Sequence, residues 1–178
     1  MVELVVAHTG QLSGADLAAA RALLEDVFAG ELTDDDWEHC LGGVHAVLRD
    51  GGAVAGHAAL VQRRLLHGGR ALRTGYVEGV AVRADLRRRG HGGRLVAALE
   101  QLARGAYEVA ALSSTDDAAA FYAARGWERW QGPTWALTVD GAVRTPDDDD
   151  AVHVLRTSDV PLDLHGALTC DVRGGDPW

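Results

Sequence analysis

The sequence lacks the features that mark several classes of protein. Its only cysteines, Cys40 and Cys170, lie far apart and form no Cys-x-x-Cys pair, which favours reduced thiols over a disulfide framework. No apolar run approaches the roughly 20 residues that span a bilayer. The first ten residues have no basic segment ahead of an apolar stretch, so they do not resemble a signal peptide. We therefore expect a cytoplasmic protein that does not associate with membranes.

Positive charge is also scarce. The chain has 17 Lys and Arg against 26 Asp and Glu, a formal net charge of -9, which argues against a nucleic-acid partner. Basic residues concentrate between Arg63 and Arg94, and acidic residues concentrate at 34–36, at 147–150 and near the C-terminus. This distribution suits a protein that holds an anionic ligand in one place and a cationic ligand in another, although acidic runs are also common in solvated loops.

The patterns typical of metal sites and of a cysteine nucleophile are missing. The eight histidines show no His-x-x-x-His spacing, and Asp147–Asp150 lacks the glycine and the terminal glutamate of a calcium loop. We therefore predict no metal. Cys40 follows His39 directly, and neighbouring residues of a helix do not face each other, so a Cys–His nucleophile is rejected.

Periodicity and turn residues predict one domain over residues 1–178, with an α+β fold of mixed α/β layers. The predicted strands are Glu3–His8, Val44–Arg49, Ala53–Leu66, a segment ending at Val82, Tyr107–Leu112, Thr134–Val139 and Ala151–Leu155. The predicted helices are Gly14–Phe28, with Ser13 or Asp16 as its cap, a short one that starts after the cap Thr33, Gly92–Gly105 and Asp116–Ala124. The turn Asp50-Gly51-Gly52 is expected to join two of the strands in a hairpin. Residues 146–150 are expected to form a loop and residues 171–178 a tail.

The most informative segment runs from Val80 to Leu95, where a strand leads into a loop rich in Gly and Arg that opens a helix. Helix N-termini bind phosphate, glycines let the backbone wrap closely, and arginines add charge-assisted hydrogen bonds. The segment is neither a Walker A loop, because no Gly-Lys-Ser/Thr follows, nor a Rossmann fingerprint, because its glycine spacing differs. Taken alone, it could also be a basic surface turn.

Two motifs resemble those of the GNAT acetyltransferases. Arg87-Arg88-Arg89-Gly90-His91-Gly92 is similar to the family's acetyl-CoA signature, and the segment from Ala118 through Phe121 and Tyr122 to Gly126 and Trp127 matches its second motif. The resemblance implies a central, mostly antiparallel sheet flanked by helices, and acetyl-CoA as co-substrate. It also implies that acetyl-CoA is bound by Val80, Ala81, Val82, Arg87, Arg88, Arg89, Gly90, His91, Gly92, Gly93 and Arg94.

Acyl transfer to an amine needs a proton acceptor, because alkyl ammonium groups are mostly protonated near pH 7. It also needs a donor to the oxyanion and an acid for the leaving thiolate. Glu78, two residues before Val80, is the candidate base through a water molecule, and Tyr122 is the candidate acid. The family pattern assigns the oxyanion to the backbone N–H of Val80. The competing interpretations are that Glu78 is a strand-edge acid and Tyr122 a core aromatic residue.

A narrower resemblance, to the aminoglycoside 2'-N-acetyltransferase family, covers nearly the whole chain. It rests on segments such as Asp36-Trp37-Glu38-His39, Arg144-Thr145-Pro146-Asp147-Asp148-Asp149 and the ending Cys170-Asp171-x-Arg173-x-Gly175-Asp176-x-Trp178. It implies a homodimer, acetylation of the 2'-amino group, and substrate contacts from Glu31, Asp36, Gly79, Ser113, Asp148, Asp176 and Trp178. Glu31 stands where the family has aspartate, and Asp150 where it has glycine.

Other functions remain open at this point. The chain could acetylate a different cationic amine, such as a cell-wall sugar or a polyamine. It could also be a non-catalytic sensor that binds acetyl-CoA without turnover. The tail could be disordered, as chain termini often are, although a tryptophan at position 178 argues against this.

Overall fold

The computed structural model describes all 178 residues, which form two compact units. The N-terminal unit consists of Met1–Val61 and Val77–Leu102, and the C-terminal unit of Gln62–Tyr76 and Ala103–Trp178. Two long strands contribute residues to both units. The single domain over residues 1–178 stays a prediction.

An antiparallel meander forms the sheet of the N-terminal unit. It consists of β1 (Val2–His8), β2 (Val44–Asp50) and the first part of β3 (Ala53–His67). Val2 lies opposite Asp50 on β1 and β2, and Val44 of β2 lies opposite Leu60 of β3. The turn between β2 and β3 has Gly51 and Gly52 with φ of 58° and 88°. Positive φ at both central positions is the requirement of the tight hairpin turn that the sequence predicted.

The helices of the N-terminal unit begin at the caps that the sequence indicated. Ser13 caps α1 (Gly14–Val27), and Thr33 caps α2 (Asp34–His39) in a reciprocal capping box with Asp36. The third helix, α3, spans His91–Ala106, and its residues 103–106 belong to the C-terminal unit. Buried apolar side chains of α1 and α2 pack with strand residues into one core cluster: Ala20, Leu23, Leu24, Trp37, Cys40, Ala59 and Ala81.

The remaining strands lie in the C-terminal unit. They are β4 (Arg70–Val82, shared with the other unit), β5 (Val109–Ser113), β6 (Glu128–Arg129), β7 (Thr134–Thr138), β8 (Gly141–Arg144), β9 (Val152–Arg156) and β10 (Leu168–Cys170), with one helix, α4 (Asp116–Ala123). The strand order is β6-β9-β5-β4-β3-β10-β7-β8. The β4/β5 and β7/β10 pairs are parallel. The predicted α+β fold with a mostly antiparallel sheet flanked by helices is confirmed.

Short elements account for most differences from the predicted pattern. The strands β6, β8 and β10 were not predicted, and the predicted loop at 146–150 contains a single 3-10 turn, Pro146–Asp148. Strands this short have little periodicity and depend on pairing with distant partners, as β10 does with β3 and β7. None of the helices combines the length and the apolar character needed to cross a membrane.

Candidate active site

The segment between β4 and α3 is fixed at its start by arginine side chains. The Arg83 guanidinium donates to Asp50 at 2.8 Å and to Asp85 at 2.7 Å, just after β4 ends. A 3-10 turn, Ala84–Leu86, follows. The Arg87 Nε then donates to the Val82 carbonyl at 2.9 Å. Arg87 therefore braces the loop, in addition to the cofactor contact that the resemblance implies.

The loop itself exposes its backbone and leads directly into a helix N-terminus. Arg88 and Gly90 have left-handed φ values of 58° and 79°, and residues 87–90 are exposed. The first N–H groups of α3 have no partner within the helix and carry the positive end of its dipole. Arg94 is turned back, donating to the Val2 carbonyl at 3.4 Å. The loop backbone, the helix N-terminus and the exposed Arg88 and Arg89 suit a diphosphate group.

A break in the regular strand conformation occurs at Gly79 in β4, between Glu78 and Val80. Gly79 has a φ of 56°, a conformation that residues with a Cβ avoid. A Cβ at this position would lie 2.7 Å from Cys40 Sγ and 3.3 Å from Leu24 Cδ1. Glu78, Gly79 and Val80 are all partly exposed. Only glycine satisfies both the conformation and the space here.

Tyr122 lies on α4 within a group of aromatic rings. Its ring packs edge-on against Phe121 and Trp127, with centroids 5.0 Å and 5.9 Å away, and the His153 ring is 6.3 Å away. Burial raises the pKa of Tyr122 to about 12, and nearby Arg125 opposes this rise. The hydroxyl therefore keeps its proton at neutral pH. The side chain is buried, as the core interpretation expected.

The C-terminal tail has a defined conformation built around Arg173. The Arg173 guanidinium donates to the Asp176 carbonyl and to a terminal oxygen of Trp178, both at 2.7 Å. The Trp178 backbone N–H donates to Asp176 Oδ1, and its indole N–H donates to Thr145 Oγ1, both at 3.0 Å. Trp178 is 5% exposed. The tail is therefore held at both its backbone and its last side chain.

Two of the predicted substrate carboxylates, Asp148 and Asp176, interact electrostatically. Burial is the main cause that raises the pKa of Asp148, and the charge of Asp176 raises it further. Asp149 behaves in the opposite way: its pKa is lowered, first because Arg144 donates to it at 2.7 Å and also because Thr134 donates to it. Asp148 and Asp176 thus form an acidic pair, and a cationic ligand would relieve the repulsion between their two carboxylates. Asp149, in contrast, already has a cationic partner in Arg144.

The other predicted substrate residues differ in how far they are already engaged. Glu31 is exposed soon after α1, and Ser113 is exposed at the end of β5. Asp36 Oδ2 accepts two hydrogen bonds from Thr33, both at 2.8 Å, so its side chain has a structural role in capping α2. A polar cleft of about 430 Å³ begins next to Ser113, lined by Ser114, Thr115, Asp116, Arg129, Asp147, Asp149, Asp150 and Ala151.

Sequence reasoning missed the supporting residues around these groups. Arg83 and Arg173 hold the loop and the tail, yet nothing in their spacing indicates this. His57 donates from Nδ1 to the Gly79 carbonyl at 2.8 Å, across 22 residues of chain. The available signal for His57 was a polar residue inside the otherwise apolar run of β3.

Comparisons with known proteins agree with this arrangement. Residues 10–130 match the family model described as an acetyltransferase (GNAT) domain. The chain is 47% identical over 174 residues to an aminoglycoside 2'-N-acetyltransferase from Mycolicibacterium fortuitum, covering 96% of this chain and 89% of that protein.

Solved structures share the fold at low sequence identity. Escherichia coli ElaA has a TM-score of 0.60 at 18% identity, covering 86% of this chain and 99% of ElaA. N-acetylglutamate synthase from Neisseria gonorrhoeae, complexed with coenzyme A and L-arginine, has a TM-score of 0.56 at 21% identity. That match covers 87% of this chain but only 33% of the longer synthase. Both resemblances drawn from the sequence are confirmed: the chain belongs to the GNAT acetyltransferases and, among them, to the aminoglycoside 2'-N-acetyltransferase family.

Proposed function

We propose that the chain transfers the acetyl group of acetyl-CoA to the 2'-amino group of aminoglycosides and so inactivates them. The observation that carries this proposal is the 47% identity, over 96% of the chain, to a relative named for that reaction. The acidic pair formed by Asp148 and Asp176 supports it, because aminoglycosides are polycations and carboxylates bind their ammonium groups.

The loop before α3 fits the diphosphate of acetyl-CoA. Its exposed backbone, the helix N-terminus and the exposed arginines supply N–H donors and positive charge in one segment. We assign acetyl-CoA binding to Val80, Ala81 and Val82 of β4 and to residues 87–94. Bound there, acetyl-CoA supplies the thioester that is attacked. Arg87 and Arg94 also brace the protein itself, so Arg88 and Arg89 are the side chains assigned to the phosphates.

Three groups would carry the chemistry. Glu78, through a water molecule, accepts the proton that the substrate ammonium must lose before its nitrogen can attack. The Val80 N–H donates to the oxygen on which negative charge develops. As the new C–N bond forms and the C–S bond breaks, Tyr122 gives its proton to the departing thiolate, and the second proton that the acetylated nitrogen loses restores the hydroxyl by way of solvent. The raised pKa of Tyr122 keeps the hydroxyl protonated at neutral pH and also makes it a weaker acid.

The other expectations from the sequence stay predictions. These are the substrate contacts of Glu31, Asp36, Gly79, Ser113 and Trp178, the cytoplasmic location and the homodimer. The strand β8 ends the strand order and is exposed along its length, which suits an intersubunit contact through the C-terminal strands. Sedimentation equilibrium at several concentrations measures the oligomeric state.

A thiol-release assay with acetyl-CoA tests the proposed function. We expect turnover with tobramycin and gentamicin and none above background with amikacin, which carries a hydroxyl at the 2' position. Equal turnover with amikacin would contradict the 2' regiochemistry, and turnover only with polyamines or cell-wall sugars would favour another amine. Binding of acetyl-CoA without any turnover would favour the sensor.

The same assay tests the base. Glu78→Gln is expected to lower kcat about 100-fold or more, because the amide cannot accept the proton. The matched control is Glu3→Gln, which changes an exposed glutamate on β1 and should leave the kinetics unchanged. An unshifted pH–rate profile in Glu78→Gln would remove the assignment.

A further inference from the structure

A chain of hydrogen bonds runs through the core of the N-terminal unit and ends on the backbone of Gly79. Thr9 Oγ1 lies 2.7 Å from His45 Nε2, His45 Nδ1 lies 2.9 Å from His57 Nε2, and His57 Nδ1 lies 2.8 Å from the Gly79 carbonyl oxygen. Both histidines are 0% exposed. Burying two imidazoles costs folding free energy unless each of their polar atoms has a hydrogen-bond partner. Here all four ring nitrogens have one.

The partners fix the direction of every bond. A carbonyl only accepts, so His57 Nδ1 carries the hydrogen and His57 Nε2 accepts from His45 Nδ1. His45 Nε2 then accepts from the Thr9 hydroxyl, which lies closer to this nitrogen than to its other acceptor, the Gly43 carbonyl at 3.2 Å. The Thr9 oxygen itself accepts from the Gly42 N–H at 2.9 Å. Burial lowers the pKa of His57 to about 4 and also lowers that of His45, so both rings are neutral at pH 7. All the donors point toward Gly79, and aligned bonds of this kind polarise one another.

The Gly79 carbonyl belongs to the same peptide group as the Val80 N–H. The chain has no cis peptide bonds, so these two groups point in opposite directions from one planar unit. A donor that holds the carbonyl therefore also sets the direction of the N–H. Drawing electron density toward the carbonyl oxygen makes that N–H a better donor.

We propose that His57 and His45 are positioning residues for acetyl transfer, which orient and polarise the Gly79–Val80 peptide so that the Val80 N–H stabilises the oxyanion. This inference rests on the role assigned to Val80 in the proposed function. The conformation of Gly79 explains why its carbonyl needs this hydrogen bond from His57. Without a Cβ and at a φ of 56°, this residue gives its peptide unusual freedom to rotate, and the hydrogen bond from His57 opposes that rotation.

Paired substitutions at position 57 separate this role from simple packing. His57→Leu removes the donor, whereas His57→Asn places an amide nitrogen where Nδ1 lies and can still donate to Gly79. Losing one oxyanion donor outright costs about 100-fold or more in kcat. Because His57→Leu leaves the Val80 N–H in place but no longer holds it, we expect kcat to fall by up to that factor with both KM values nearly unchanged. His57→Asn should recover most of the loss.

His67→Leu is the matched control for the loss of hydrogen bonds. His67 has the same bonding pattern in the C-terminal unit: its Nδ1 lies 3.0 Å from the Ala167 carbonyl, and its Nε2 accepts from the Asp163 N–H at 3.1 Å. This substitution should lower Tm without lowering kcat. If His57→Leu and His57→Asn lost kcat equally, or if His57→Leu lost only Tm, the positioning role would be overturned.

A measurement without substrate keeps the test independent of the proposed function. Nitrogen-15 NMR of the wild-type protein should show His57 and His45 both protonated at Nδ1 only. The resonance of the Val80 amide proton should move upfield in His57→Leu and keep its position in His67→Leu.

A milder variant, Thr9→Val, serves if His57→Leu does not fold. Thr9 is the member of the hydrogen-bond chain that lies farthest from Gly79, so this substitution should move the same resonance by less. Wild-type protein that turns over no aminoglycoside would defeat the proposed function, whereas an unmoved Val80 resonance would defeat this inference.

Discussion

The loop at residues 87–94 and the tail at residues 171–178 have opposite charge and are held in different ways. The loop is basic, and beyond the bonds from Arg83 and Arg87 that fix its start, its path is set locally, by Gly90 in a left-handed conformation and by the start of α3. The tail ends in Asp176 and a terminal carboxylate, and its path is set by Arg173 and by the bond from Trp178 to Thr145, 33 residues earlier.

The difference shows that one protein can present two charged surfaces through two kinds of restraint. A conformation set by glycine and a helix start costs few contacts and leaves the backbone N–H groups exposed for an anion. A conformation set by side-chain bonds uses up the donors of the tail and, through Arg173, a terminal oxygen as well, so that the charge of Asp176 is what remains for a cation. We therefore expect changes in the loop to alter only the binding of acetyl-CoA, and changes in the tail to alter only the binding of the amine.

Deleting residues 176–178 should have the largest effect. It removes the Asp176 carboxylate, and a charge-assisted bond to a carboxylate contributes roughly 1.5–3 kcal/mol. The terminal carboxylate that it also removes is already bonded to Arg173. We expect the KM for tobramycin to rise roughly 100-fold while the KM for acetyl-CoA stays within error. Initial-rate kinetics with each substrate varied in turn make the measurement. Unchanged kinetics with tobramycin would show that the tail does not bind the substrate.

Gly90→Ala should have an intermediate effect on the other side of the comparison. A Cβ at a φ of 79° costs about 1–2 kcal/mol, so we expect the KM for acetyl-CoA to rise about tenfold and the KM for tobramycin to stay constant. Gly105→Ala is the matched control, because Gly105 lies within α3 with open space around it. There the added methyl group should stabilise the protein by about 0.5–1 kcal/mol. A higher tobramycin KM in Gly90→Ala would contradict the separation of the two surfaces.

Asp148→Asn should have the smallest effect on the kinetics, and it should stabilise the protein at neutral pH. Since folding raises the pKa of Asp148, the folded state binds its proton more readily than the unfolded state, and the ionised form costs stability at neutral pH. That cost disappears as the pH falls through the raised pKa. We expect Asp148→Asn to raise Tm at pH 7 by roughly 2 °C and to raise the KM for tobramycin roughly fivefold.

The pH dependence supplies the check on Asp148. In the wild type, the KM for tobramycin should begin to rise on acidification at a pH above that at which an ordinary aspartate is protonated, because the pKa of Asp148 is raised. Asp148→Asn should remove the rise that protonation of Asp148 causes. A lower Tm in Asp148→Asn at pH 7 would contradict the raised pKa.

The parts of the fold that the sequence predicted are those governed by neighbouring residues. The cap at Thr33, the Gly51–Gly52 turn and the start of α3 all depend on a few consecutive positions, and the predicted boundaries lie close to the observed ones. The strand β10 could not be read in this way, because its three residues gain their conformation from β3 and β7. The candidate site also has a part that neighbouring residues determine and a part that only the fold determines. The loop was visible as a pattern, whereas the bonds from Arg173 and from His57 link residues whose proximity only the folded chain creates.

The closed surroundings of Gly79 bear on how this family member can adapt to new amines. With Cys40 Sγ 2.7 Å from where a Cβ would lie, every amino-acid substitution at position 79 yields a protein that must distort its core. Ser113 is exposed at the end of its strand and carries no such restriction. Selection on new aminoglycosides should therefore leave position 79 invariant and accumulate variation at position 113.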